Sequence, residues 1–135
     1  MHPHSRRLAA ILLILLPTVA FGGTSLLSLL INDPDYAENA LRQDLWRAGH
    51  AHAGVLLILS LVILRYVDEA RLGDTARAIA RYSVPVSAIL LPVAFFLSVL
   101  SPGATEPNAL INLAYAGFAV LAAGLLTLGV GLLRR

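Results

Sequence analysis

Residues 8–31 read LAAILLILLPTVAFGGTSLLSLLI, twenty-four positions without a charged side chain. A helix rises about 1.5 Å per residue and the hydrocarbon core is about 30 Å thick, so some 20 apolar residues suffice to cross it. The stretch therefore predicts a membrane-spanning helix. Pro17 and the Gly22–Gly23 pair are the places where it is expected to bend. A competing reading is a cleaved signal peptide, with Arg6 and Arg7 ahead of the apolar run and small residues near Ala20 and Gly22. The continuation TSLLSLLI carries the run beyond that cut and favours the span.

The pattern recurs along the chain. Three further apolar stretches, at about 48–67, 82–100 and 109–133, predict three more spans, the third with Pro85 and Pro92 inside it. Hydrocarbon offers no partners to open backbone groups, so all four must be helices. The composition agrees: 58% of the 135 residues are hydrophobic and 13% charged, against about 25% charged in soluble domains. The fold class read from this is all-α, a four-helix membrane bundle in one polytopic domain covering 1–135. Absence of cysteine excludes disulfides and thiolate sites, and absence of lysine excludes a Schiff base or a P-loop lysine. The basic residues are scattered in short loops with few aromatics, which argues against nucleic acid.

Arginine orients the bundle. Arg6, Arg7, Arg65, Arg71, Arg77, Arg81, Arg134 and Arg135 fall on one side; Arg42 and Arg47 fall on the other with Asp33, Asp35, Glu38, Asp44 and Glu106. The positive-inside rule then places both termini in the cytoplasm and suggests a bacterial inner membrane. The first outer loop predicts an interfacial helix over 34–47. Asp33 is its N-cap, Pro34 its first residue, Trp46 its headgroup-level aromatic and Gly49 its bend into the second span. The inner connector, RYVDEARLGDTARAIARY, reads as a solvated amphipathic loop.

The halves also resemble each other. LLPTVAF (15–21) matches LLPVAFF (90–96), ENAL (38–41) matches EPNAL (106–110), and HAHAG (50–54) matches LAYAG (113–117). Two helical hairpins entering the membrane in the same direction imply a parallel repeat about an axis along the membrane normal. His52 and Tyr115 would then lie at matching depth. In the last span Gly117, Gly124 and Gly131 recur every seven residues and predict a close-packing seam, within the chain or in a homo-oligomer.

The candidate site is WRAGHAHAG (46–54). Residues two apart on a helix point about 200° apart, so His50 and His52 face different neighbours and cannot easily chelate one ion. His50 shares its face with Gln43, Trp46, Arg47 and Gly54; His52 shares one with Leu45, Ala48 and Val55. Ionisable groups within spans are functional candidates. Trp46, Arg47, Asn108 and Asn112 are expected to line a polar pocket beside the histidines. Asn108, Asn112 and Tyr115 would form a stripe facing the bundle interior.

The segment GHAHAG resembles the His-x-His helix of haem–copper oxidase catalytic subunits, and small membrane proteins with a GHxH signature. The resemblance implies His50 and His52 as axial haem ligands; a divalent metal is the other cofactor these histidines would suit. From the repeat, Tyr115, the counterpart of His52, is expected to hydrogen-bond to its imidazole. No other span contains His, Met or Cys, so a second copy or a partner membrane subunit would have to complete such a site. The readings carried forward are a redox-linked haem- or metal-binding membrane protein, a non-catalytic accessory or scaffold subunit, and a small transporter. No histidine has a nucleophile and an orienting carboxylate at fixed spacing, so hydrolytic catalysis is not indicated.

Overall fold

The computed structural model describes residues 1–134 and is built of helices. Helix α1 spans Pro3–Asn32, α2 Pro34–Ala37, α3 Ala40–Tyr66 and α4 Asp74–Leu97; a 3₁₀ turn, Ala109–Asn112, leads into α5, Leu113–Leu133. Four of these stretches are long and apolar enough to cross a membrane. This is an integral membrane protein whose spans contact lipid.

The chain order translates into a simple packing scheme. α3 and α4 form the central pair; α1 packs on α3 and α5 on α4. The two flanking stretches are the more apolar ones, while the polar side chains buried within helical spans sit chiefly on α3 and α4. That division follows from the solvent: a flanking helix meets lipid over most of its surface, whereas a central one can satisfy polar groups against its neighbours. Ser87 shows the economy of this. Its hydroxyl donates to the Ser83 carbonyl on its own helix and to the Gly117 carbonyl of α5, at 3.0 and 2.8 Å.

α1 continues as one helix through Pro17 and Gly22–Gly23, and α4 through Pro85 and Pro92. The expected interfacial helix over 34–47 is different: one turn, α2, ends at Ala37, and a new helix starts at Ala40 and continues through Gly49 to Tyr66. Asn39 causes the restart. Its Oδ1 caps the Arg42 amide at 3.0 Å, while its Nδ2 donates to the Pro102 and Ala104 carbonyls at 3.1 and 3.0 Å. The cap thus ties the α2–α3 junction to the loop between α4 and α5. Gly49 serves close contact, because a Cβ there would lie 2.9 Å from the Phe96 ring.

The α3–α4 connector is not the solvated loop its charge pattern suggests. Arg81 is buried and its guanidinium meets the Asp68 carboxylate at 3.1 Å. Ser5 of α1 donates to the same carboxylate oxygen and accepts from Arg81 Nε, both at 3.1 Å. The His2 amide closes the cluster on the other oxygen at 2.7 Å. Burial pushes the Asp68 carboxyl upward, but the His2, Arg81 and Ser5 hydrogen bonds and the Arg81 charge outweigh it and hold it below the usual carboxylate range. Arg77 fastens the rest of the loop through the Val67 and Leu72 carbonyls, and the Arg71 amide donates to Gly131 near the end of α5. The N-terminus, the α3–α4 connector and the end of α5 consequently lie at one end of the molecule.

Candidate functional site

The two histidines leave α3 in opposite directions, as their spacing requires. His50 faces α1 and lies against the Gly22–Gly23 step. A Cβ on Gly23 would sit 3.0 Å from its Nε2, and one on Gly22 3.6 Å from its Nδ1. The glycine pair that looked like a hinge is therefore a seat for an imidazole. The ring makes no hydrogen bond within the described residues, yet neither nitrogen is sealed from outside. His50, Gln43 and Arg47 form one wall of a crevice of about 280 Å³ between α1 and α3, which Tyr36 of α2 also lines. Gly23, Leu26, Leu27 and Leu30 of α1 form the facing wall.

His52 points the other way. Its Nδ1 lies 2.7 Å from the Ala48 carbonyl. A carbonyl only accepts, so this bond puts the proton on Nδ1 and leaves the Nε2 lone pair free. The ring lies 5.3 Å from Phe95 of α4 and 5.9 Å, edge-on, from Phe118 of α5. Nε2 has no partner among the described residues and is not enclosed. Such a hydrogen bond to the other ring nitrogen is what fixes tautomer and orientation in ligand histidines generally.

The structure brings together only some of the other expected site residues. Tyr115 is 75% exposed, and the α5 residue that meets His52 is Phe118, not Tyr115. Asn108 and Asn112 do not face the interior. Asn108 caps the 3₁₀ turn through the Leu110 amide and binds the Leu97 carbonyl, while Asn112 binds Ala109. The reason is local: 109–112 form a 3₁₀ turn, so the i, i+4, i+7 stripe that an α-helix would create does not exist. Trp46, Arg47, Asn108 and Asn112 therefore do not line one pocket. Arg47 belongs to the α1–α3 crevice and pairs with Asp44 at 2.8 Å. Trp46 packs away from it, its Nε1 donating to Phe96 at 3.1 Å and its ring lying under the Arg42 guanidinium at 4.4 Å.

Two residues of this region escaped the sequence reading. Arg42, counted above as an outer-loop charge, is only 5% exposed; it donates to the Val99 carbonyl and stacks on Trp46. Tyr36 is 2% exposed, its ring 5.5 Å from Trp46. An aromatic two residues after a Pro at a helix start is the one local sign of this burial.

Gly117, Gly124 and Gly131 are buried on one line of α5. A Cβ at Gly117 would meet Leu91 at 2.9 Å, one at Gly124 would overlap the Ser83 side chain, and one at Gly131 would meet Leu72 at 2.6 Å. The seam is used within the chain, against α4 and the connector before it, which leaves it unavailable to a second subunit.

The donor chemistry bears on a metal or haem. Among the described residues no three His, Asp or Glu side chains converge as a metal site, so a complete cage from this chain alone does not fit. A single bond from His52 Nε2 does fit the residues present. No protein family, curated protein or solved structure matches this chain.

Proposed function

We propose that this chain is a membrane subunit that presents His52 as a single imidazole ligand to a haem or divalent metal near the outer face, in a redox-linked role, with the remaining ligands supplied by a second copy or a partner subunit. The observation that carries this reading is the Nδ1–Ala48 bond, which in the neutral ring leaves an accessible Nε2 lone pair beside Phe95 and Phe118. Bound there, the group would supply electron transfer or Lewis acidity. The chain's own contribution is to hold the tautomer, restrict the ring's rotation and exclude water with Phe95 and Phe118. His50, on the opposite face, is open to a different partner.

The arginine asymmetry supports cytoplasmic termini and an outer-facing histidine pair in a bacterial inner membrane. The parallel repeat is supported by one packing detail: Gly54 abuts Val19 of α1, and Gly117 abuts Leu91 of α4, so each hairpin closes on a corresponding glycine.

Full-length protein in mild detergent, titrated with haem and separately with Zn²⁺ and Cu²⁺, tests the ligand role. Uptake that survives His50→Ala and disappears in His52→Ala is the expected result. Protein that takes up none of these, alone or with its copurifying partners, would sink the proposal. An accessory or scaffold role is the second reading. It is favoured by α1, which buries only Ser5 and Leu12 and leaves Ile11, Leu13, Ile14 and Phe21 uncovered. Cross-linking from cysteines introduced at those positions would then capture a partner.

A further inference from the structure

We infer that the α1–α3 crevice is a binding site for the anionic head of a single-tailed amphiphile, with a carboxylate as its simplest form. This site lies on the face of α3 opposite His52 and does not depend on any metal or haem. Three observations converge on it.

The first is a phenol donor without a protein partner, left accessible at the end of an otherwise buried side chain. Tyr36 is almost wholly buried and lines the crevice, yet its hydroxyl makes no hydrogen bond within the described residues. Its main-chain groups are fully used: the amide donates to Asp33 and the carbonyl accepts from Gln43 Nε2. Burial raises the phenol above its ordinary value, against the smaller opposing effects of Arg47 and Arg42, so it stays a donor at neutral pH.

The second is the character of the polar wall. Gln43, Arg47 and His50 recur at helical spacing, and Arg47 is the one charged side chain that lines the space. Its Nε and one terminal nitrogen are engaged by the Gln43 carbonyl and Asp44. The other terminal nitrogen, like both nitrogens of His50, is unengaged. A ligand head placed here meets donors: a phenol, a guanidinium and an imidazole. Acceptor-rich, negatively charged oxygens are the complement.

The third is the opposite wall, made of Leu26, Leu27, Leu30 and the bare backbone at Gly23. A free inorganic anion would leave these leucines unused. An alkyl tail lying along α1 would cover them.

The molecule carries its own reporter, because Trp46 is its only tryptophan and its ring lies 5.5 Å from that of Tyr36. A brominated stearate added to the full chain in detergent should quench Trp46 saturably, since bromine acts only at short range. Palmitate should reverse the quenching, whereas hexadecanol and acetate should not at equal concentration. Arg47→Gln should weaken palmitate by tenfold or more; the side chain is 61% exposed, so folding should be unaffected. Tyr36→Phe removes only the hydroxyl and should cost about fivefold, the equivalent of one neutral hydrogen bond. Hexadecanol competing as well as palmitate, acetate competing equally, or both variants binding like the parent would each overturn the assignment.

Discussion

The α4–α5 interface and the α1–α3 interface both rest on glycine, but glycine does different work in each. On α5 the glycines bring two helix surfaces together: Gly124 lies so close to Ser83 that no Cβ fits, and Ser87 bonds the Gly117 carbonyl across the gap. On α1 the glycines receive a side chain, the His50 ring, and the interface beside it stays open as a crevice. In lipid there is little hydrophobic gain from bringing apolar helices together, so close packing and hydrogen bonds hold such pairs. The α4–α5 pair has both. The α1–α3 pair has fewer, and α1 relies on the cluster of Ser5, Asp68 and Arg81 at its N-terminal end.

That dependence sets the largest expected effect. Asp68→Ala leaves Arg81 buried without its partner and should destabilise the protein by about 3 kcal/mol, mainly through detachment of α1. Thermal unfolding in detergent, with protease protection of α1 as a local readout, checks it. The same pair predicts a pH response. The Asp68 carboxyl is depressed in the folded protein, so its contribution is present above the ordinary aspartate range and is lost as pH falls through the depressed value. The melting-temperature gap between the parent and Asp68→Asn should therefore close under acid conditions. A gap that widened on acidification would contradict the cluster.

Gly124→Leu tests the tight interface. Overpacking of this kind typically costs about 1–3 kcal/mol, and Ser83 sits on a helix that cannot easily yield. Insertion into the membrane should survive because the span stays apolar. Equal melting of Gly124→Leu and the parent would show that α5 does not pack on α4 along this line.

Gly23→Ala should be milder, on the order of 1 kcal/mol or less, because the imidazole can swing aside where Ser83 cannot. Its signature is functional: the variant should displace His50 and weaken ligands of the crevice without touching uptake at His52. The smallest effect should come from Gly129→Ala. Nothing lies within 4 Å of a Cβ there, so the change should be neutral or stabilise the helix by up to about 1 kcal/mol. Gly131→Ala, two residues further on, should instead destabilise against Leu72. This contrast between neighbours is the sharpest check that position on the helix, not glycine content, decides.

Much of the fold was legible in linear order. The four spans, the Asp33 cap and the opposed facing of His50 and His52 all follow from composition and from a 100° step per residue. The candidate site was legible only in outline: Gln43, Arg47 and His50 could be put on one face, but not opposite Gly23 and Leu27. Asn108, Asn112 and Tyr115 misled because an α-helical stripe was assumed where the chain forms a 3₁₀ turn. The α3–α4 connector misled because alternating charges look alike whether solvated or paired.

Apolar length and arginine placement belong to the chain alone, because the bilayer acts on each segment independently of its neighbours. Which glycine is a hinge, a seam or a seat is not a property of the segment. Gly22, Gly49 and Gly124 are chemically identical, and only the approach of His50, Phe96 and Ser83 from other helices distinguishes them. The burial of Arg42, Tyr36 and Arg81 is decided in the same way, by partners more than forty residues distant for the two arginines' bonds to Val99 and Ser5. Local sequence carries no signal for contacts of that range, since they exist only once the helices have been laid side by side.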